Sequence, residues 1–469
     1  MKEVLLRALD HGKKFGARYV DIRYEDGIST GVSSTDGKIH ESGVSVEKGI
    51  GVRALVSGGW GFCAMPISGE NINILKAVEN AVKLAKANDK TKIRLAEVKI
   101  IEDTVNYQFK KDPMEIPLEE KAELCREVTK RISETDKSVK KSSMGIVTAK
   151  AQKIFCSSEG TFIEQKKVFT YFSLGAVARS LNATEYYSWE EGYTKGYEVV
   201  DDYDPLSHAE EIAKKAVSLA NAKPCPTIKT PVLLDPNFVA LITHEVLGHP
   251  SEADRVLGKE AAWAGRAWWK DEQNKKIFSD KLTVVSDPTM FGNFGSYKYD
   301  DEGVPTRKIV HVQNGVLKEF LHSRETAETF DTEPNGGMRA TAYVFAPLIR
   351  MPITYIEKGD ATFEEMLADM KDGVYVKGHK IPSVDSRRYN FQISAKEAYM
   401  IKNGELTEHL RGPTLTGVTP EFFSSIDAVG KDVQIFGVPN CGKGDPMQTL
   451  QVGNGGPHIR GVGMVTGPK

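Results

Sequence analysis

Hydrophobic positions along the 469-residue chain change their period several times, and each change marks an element. The opening stretch, MKEVLLRALDHGKKFG, spaces apolar residues between charges such as Glu3 and Asp10, which predicts an amphipathic helix. Residues 19–24 (YVDIRY) then alternate in side-chain type, as a strand does, and further strands are expected at 31–34, 44–47 and 51–56. Turns fall at Asp36-Gly37 and Gly58-Gly59. A second helix is expected from an N-cap at Ser68 to about Ala87, with Leu75, Val78, Val82 and Ala85 on one face. A third follows Pro117, from Leu118 to Ile132. Extended runs at 144–149, 154–157 and 169–178 precede a helix near 209–221. Residues 1–222 therefore predict an N-terminal α/β domain with helices on one side of a curved sheet.

Two prolines, Pro224 and Pro226, interrupt helical structure and mark a linker at 222–226. The apolar run 231–234 predicts a short buried strand, and Asp235-Pro236 an N-cap followed by proline at the first helical position. Residues 258–275 are compatible with a helix and carry Trp263, Trp268 and Trp269, a grouping that favours packing over a substrate platform. Beyond Leu282 the pattern turns strand-rich, at 283–286, 308–312, 343–345 and 399–402, with turns at Asn314-Gly315 and Asn403-Gly404. One helix is expected at 362–371, where Thr362 and Glu365 have capping-box spacing. The fold class is thus α+β, with a C-terminal domain at 223–469 built as an antiparallel sheet or partly closed barrel decorated by helices.

Composition narrows the function. Lys and Arg number 62 against 64 Asp and Glu, a net charge of −2, so nothing points to nucleic acid or an anionic membrane. No stretch approaches the roughly 18 apolar residues of a membrane span. Five scattered cysteines without a CxxC pair argue for reduced thiols and a cytoplasmic protein.

The chemistry gathers at residues 239–255, VALITHEVLGHPSEADR, where Glu245 follows His244 and His249 lies five residues after it. Two imidazoles on a helix with an adjacent glutamate are the usual means of holding Zn²⁺ and accepting a proton from the attacking water. In the common HExxH motif the histidines share a face. An i, i+5 pair on a regular helix diverges by roughly 140°. A π-bulge or a loosened helix end must absorb the extra residue, and Gly248 and Pro250 flanking His249 favour the loosened end. A third ligand is needed. Glu252 and Asp254 could ligate or serve as caps and ion-pair partners, and Asp300, Asp301 and Glu302 form either a solvated turn or a group beside the metal. Cys441, in PNCGKG, is either a thiolate ligand eased toward ionisation by Lys443 or a small residue in a tight turn.

HEVLGHPSEAD, DDEGVP at 300–305, NGVL at 314–317 and NCGKGDPMQTLQVGNGGP at 440–457 closely resemble the TldD/PmbA family of metallopeptidases. The resemblance spans most of 230–460 in order and spacing and is looser over 1–222. It implies one zinc ion per chain held by His244, His249 and Cys441, with Glu245 as general base. Glu252, Asp300, Asp301, Glu302 and Gly455 are then candidates for lining the substrate or supporting the ligands. The full motif places the chain on the TldD-like side of the family. The implied partners are unfolded peptides or small unstable proteins as substrates, and a homodimer or a heterodimer with a metal-free PmbA (TldE)-like paralogue. The rival reading is a non-catalytic peptide-binding or regulatory subunit with a structural metal site. Cleavage of a non-peptide amide, or a cysteine nucleophile at Cys441, would be a further departure.

Overall fold

The computed structural model describes residues 1–68, 73–88, 92–260 and 265–468. Its first half is one seven-stranded sheet in which β1 (Tyr19–Thr35), β2 (Lys38–Val56), β3 (Gly59–Pro66), β4 (Glu102–Asn106), β5 (Val139–Ser157), β6 (Phe162–Arg179) and β7 (Thr184–Tyr193) take part. Spatial order is β3-β2-β1-β5-β6-β4, with β7 also on β6, and every pair is antiparallel except β4 with β6. The short strands expected at 19–24 and 31–34 are one 17-residue strand, and those at 44–47 and 51–56 belong to one of 19 residues. Between them Asp36 and Gly37 take φ of 49° and 75°, the left-handed pair that suits a two-residue hairpin.

Alternation explains the layering. Val20, Ile22, Tyr24 and Val32 share one face of β1 and are buried under helices. At one end of the sheet these are α1 (Lys2–Lys14) and α2 (Ile74–Ala87); at the other they are α3 (Leu118–Thr135) and the later α5 (Pro205–Asn221), which follows the short α4 (Glu198–Tyr203). The α2 N-cap is Asn73, whose side chain accepts the Lys76 N–H, and not Ser68. Leu75 is exposed, and the buried stripe is Ile74, Ala77, Val78, Ala81, Val82 and Ala85. Small residues set this contact, which a search for large apolar side chains misreads.

The opposite face of the sheet is charged, and it docks on the second half of the molecule. Arg53 pairs with Asp21 at 2.6 Å and with Glu302 at 3.1 Å, while Lys153 meets Asp301 at 2.6 Å. Arg23, wholly buried, lies 3.9 Å from Asp301 and donates to the Phe345 carbonyl. Burial alone would raise the Asp301 carboxyl, but Lys153 and Arg23 outweigh it and hold it at about 2. Asp300 has no cation of its own. Burial and the neighbouring Glu302 push it up to about 8, and it accepts the N–H groups of Glu302, Val304 and Met338. Residues 343–345 form a turn, not a strand, and lie against β2. A Cβ on Gly49 would sit 2.2 Å from the Tyr343 ring, so this approach requires glycine.

In the second half, strands Ile228–Leu234, Asp372–Val384, Asn390–Lys402, Thr414–Val418 and Ile459–Thr466 close into a five-stranded barrel. It is fully closed, and it contains one parallel pair, Ile228–Leu234 beside Asp372–Val384, where an antiparallel sheet or partly closed barrel was expected. A six-stranded sheet packs beside it, ending in the edge strand Gln434–Lys443 next to Gln448–Gly456. The helix Phe363–Ala368 has its expected capping box from Thr362 and Glu365. Residues 265–275 contain turns and no helix; Trp269 is fully buried and Trp268 packs edge-on to Phe278 and Tyr389, while Trp263 lies outside the described residues. No helix among the described residues is long and apolar enough to cross a membrane.

Removing the Asp301 carboxylate leaves Glu25, 3.3 Å from Lys153 and 3.5 Å from Arg23, as the one carboxylate still paired with both cations, and breaking a buried pair costs up to roughly 3–5 kcal/mol. Asp301→Ala is expected to lower the denaturant midpoint accordingly, measured by chemical unfolding, without changing metal content in the folded protein.

Candidate metal centre

The site is built on a helix that changes pitch. Asp235, at the end of strand Ile228–Leu234, caps α6 (Pro236–Thr243): its carboxylate accepts the Phe238 N–H at 2.8 Å and the Gly378 N–H at 2.9 Å. Every residue of α6 is buried, so the helix is locked in place. His244–Gly248 then form a π-helical turn and His249–Ser251 a 3₁₀ turn. The His249 N–H donates to the His244 carbonyl, an i→i+5 bond that brings the second imidazole back above the first. The extra residue is absorbed by widening the helix, not by loosening its end. Gly248 makes room: a Cβ there would lie 2.0 Å from the Met351 sulfur.

His244, His249 and Cys441 are brought together, with one donor atom from each within 4.8 Å of the others. The His249 Nε2 is 3.8 Å from the Cys441 Sγ, and the two rings stand at 80° with centroids 4.8 Å apart. Each imidazole is held by its other nitrogen. His244 Nδ1 meets the Asn454 side-chain oxygen at 2.9 Å, and His249 Nδ1 meets Glu252 at 3.2 Å. Both Nε2 atoms are thereby left for the centre. Burial opposes a thiolate at Cys441, yet the two imidazoles outweigh it and hold the thiol well below its usual range. Burial likewise works against a charged His244, but the sulfur raises it to about 9.

Behind the ligands lies a buried charge network. Glu252 accepts from Arg255 at 2.8 Å and lies 3.2 Å from the Lys443 ammonium. Burial would raise the Glu252 carboxyl, but Lys443 and His249 hold it well below its ordinary value. Lys443 also pairs with Asp254 at 2.7 Å and donates to the Ile349 carbonyl at 2.8 Å. It therefore serves the carboxylates and not the thiolate beside it in sequence. Arg350, fully buried, donates to the carbonyls of Cys441 and Gln448 and holds the strand that carries the sulfur.

A cavity of about 710 Å³ opens onto the three donors, lined also by Glu245, Lys380, Asp385 and Arg388. Glu245 is 2.6 Å from the Arg388 guanidinium. The other candidates fall elsewhere. Asp300, Asp301 and Glu302 lie between the two halves, bonded as described above. Gly455 follows Asn454 on a strand and turns to the opposite side, where a Cβ would meet the Gln434 carbonyl at 2.2 Å. Sequence reasoning passed over Asn454, Arg350 and Arg388. Asn454 was the one polar side chain in GNGGP, whereas the two arginines carried no local pattern.

The donors suit a zinc-type cation. Bonds of about 2.0–2.3 Å in a tetrahedron put the donor atoms roughly 3.3–3.6 Å apart, a spacing these side chains reach with small adjustments. Two imidazoles and a thiolate, oriented from behind and facing a cavity, are a donor set suited to a metal-dependent hydrolase.

Family models identify the chain further. Residues 227–467 match the PmbA/TldA metallopeptidase C-terminal domain, 20–85 its domain 1 and 111–220 its central domain. The chain belongs to the PmbA/TldD metallopeptidase family, and it is a metallopeptidase. It is 38% identical to a metalloprotease of Methanocaldococcus jannaschii over 96% of this chain and 97% of that one. It is 29% identical to the zinc metalloprotease TldD homolog of Saccharolobus solfataricus, over 97% and 98%. The crystal structure of TldE from Thermococcus kodakarensis shares the fold, with a TM-score of 0.75, 19% identity and coverage of 98% and 99%.

Outer partners of ligating histidines typically contribute 10–100-fold to metal affinity. Glu252→Gln is expected to weaken zinc binding by about that factor, and Cys441→Ala to abolish stoichiometric binding, both read by competition with a zinc chelator.

Proposed function

We propose that this chain is a zinc-dependent peptidase in which His244, His249 and Cys441 hold one Zn²⁺ and Glu245 is the general base. The observation that carries the reading is the Glu245 carboxylate facing the same cavity as the three donors. When bound, the cation supplies Lewis-acid polarisation and acidifies the attacking water. The chain's own residues do the rest. Asn454 and Glu252 fix the imidazole tautomers, Glu245 takes the proton of the water and passes it to the leaving amine, and the cavity walls exclude bulk solvent. Among the described residues the donor group consists of those three side chains, and Glu252 is committed to His249 Nδ1, Arg255 and Lys443. This favours an open catalytic site over the closed four-ligand site of a structural metal.

The substrates under this reading are unfolded peptides or small unstable proteins, since an extended chain can enter a cavity of about 710 Å³ where a folded surface cannot. The chain is divided near residue 222 into a sheet domain and a catalytic domain, works in the cytoplasm, and pairs with itself or with a TldE-like partner. The likeness to TldE supports the second arrangement through shared fold.

Glu245→Gln is expected to retain its zinc while its rate on an unstructured peptide falls about 10²–10⁴-fold. Chelation should silence the wild type, and added zinc restore it. A Gln variant as active as the wild type, or hydrolysis indifferent to the chelator, would overturn the reading.

A further inference from the structure

Arg388 stands at the tip of the hairpin joining Asp372–Val384 to Asn390–Lys402, and the tip is bonded on every side. The Asp385 carboxylate accepts the N–H groups of Arg387 at 2.8 Å, Tyr389 at 3.2 Å and Asn390 at 2.7 Å. Thr419 clamps it from across, its hydroxyl donating to the Arg388 carbonyl at 2.8 Å and its N–H to the Tyr389 carbonyl at 2.7 Å. The N–H groups of Arg266 and Trp268 donate to the carbonyls of Ser386 and Arg387 at 3.2 and 3.1 Å. Within this frame Arg388 itself takes φ of +63°, a left-handed conformation uncommon for a residue with a side chain. Backbone held in such a conformation by surrounding bonds is a mark of functional placement.

What the frame delivers is a guanidinium in the cavity. Its Nη1 meets Glu245 Oε2 at 2.6 Å, its Nε is buried without a hydrogen-bond partner, and the side chain is 15% exposed. Among the described residues the guanidinium makes no hydrogen bond or ion pair with His244, His249 or Cys441, so its contact with the site runs through Glu245.

We propose that Arg388 is the positioning residue for the Glu245 carboxylate, an inference that rests on Glu245 being the base. A rigid guanidinium fork fixes one carboxylate oxygen, Oε2, and so aims the other, Oε1, at the attacking water. In the step it serves, the water oxygen forms a bond to the peptide carbonyl carbon and the water proton passes to Oε1. The C–N bond then breaks as that proton moves to the leaving amine, and Glu245 returns to its carboxylate form. The left-handed backbone and its clamps keep the guanidinium from following the substrate.

The test compares Arg388→Ala and Arg388→Lys with the wild type and Glu245→Gln, on one unstructured peptide and its C-terminal amide, with zinc content and a crystal structure of each variant. Arg388→Ala is expected to lose about 100-fold in kcat, since a base displaced by an ångström costs that much, with KM within about threefold on both peptides. Zinc content should be unchanged, the Glu245 side chain should be displaced or disordered in the crystal, and added methylguanidinium should recover part of the rate. Arg388→Lys should fall between. A rise in KM confined to the free-acid peptide would overturn the proposal and make Arg388 a clamp for a substrate carboxylate. Loss of zinc, or an unchanged kcat with Glu245 in place, would overturn it as well. If Glu245→Gln keeps the wild-type rate, it is the general-base reading that fails, and the order of Glu245 in the Arg388→Ala crystal still reports whether Arg388 holds it.

Discussion

A single i→i+5 hydrogen bond, from the His249 N–H to the His244 carbonyl, sets the geometry on which the candidate metal centre depends. On an ordinary helix the two imidazoles would diverge by roughly 140°. The widened turn restores them to one side, and everything around it accommodates the width. The helix before it is capped by Asp235 and buried along its whole length, so the change of pitch cannot propagate backward. Gly248 concedes space to Met351, and the 3₁₀ turn after it ends in the bend that delivers Glu252 to the far side of His249. A π turn is an uncommon conformation, and its occurrence between two candidate metal donors fits the general concentration of such turns at functional sites.

The His-His-Cys group is held by electrostatics more than by packing. Glu252, Lys443 and Arg255 are buried with His249, and Asp254 joins them from the partly exposed edge, so each charge has an opposite neighbour within hydrogen-bond reach. Such a network contributes little net stability compared with an apolar core, but it fixes direction. The same device recurs at the junction of the halves, where Arg23, Arg53 and Lys153 meet Asp21, Asp301 and Glu302. One acidic tripeptide therefore aligns the sheet on the second half, which accounts for three carboxylates packed before a glycine outside the His-His-Cys group.

Legibility in the sequence followed locality. The HExxxH spacing demanded a distorted helix, and Asp235-Pro236 announced where that helix begins; both depend on neighbouring residues alone. The long strands were read in pieces because Gly27, Gly31, Gly43 and Gly49 and the charged face of the sheet break the apolar alternation that marks a half-buried strand. Of those charges, Arg23, Arg53 and Lys153 meet another layer instead of water, while residues 41–47 are exposed on both faces, and nothing local reveals either. The alanine stripe of α2 was hidden for a related reason, its contact being close rather than large. Asn454, Arg350 and Arg388 act on residues between 91 and 210 positions away, beyond the reach of any periodicity.

The separation of the donors in the chain also governs when the enzyme comes into being. His249 and Cys441 stand 192 residues apart, and the barrel that carries the Asp235 cap closes only through the strand Ile459–Thr466. At synthesis rates of about 5–20 residues per second, roughly 10–40 s pass between emergence of the histidines from the ribosome and that of the sulfur. During that interval the nascent chain has two imidazoles but no third donor and no complete cavity around them. The three donors can thus come together only late in translation, once all but the last few strands of the chain have been made.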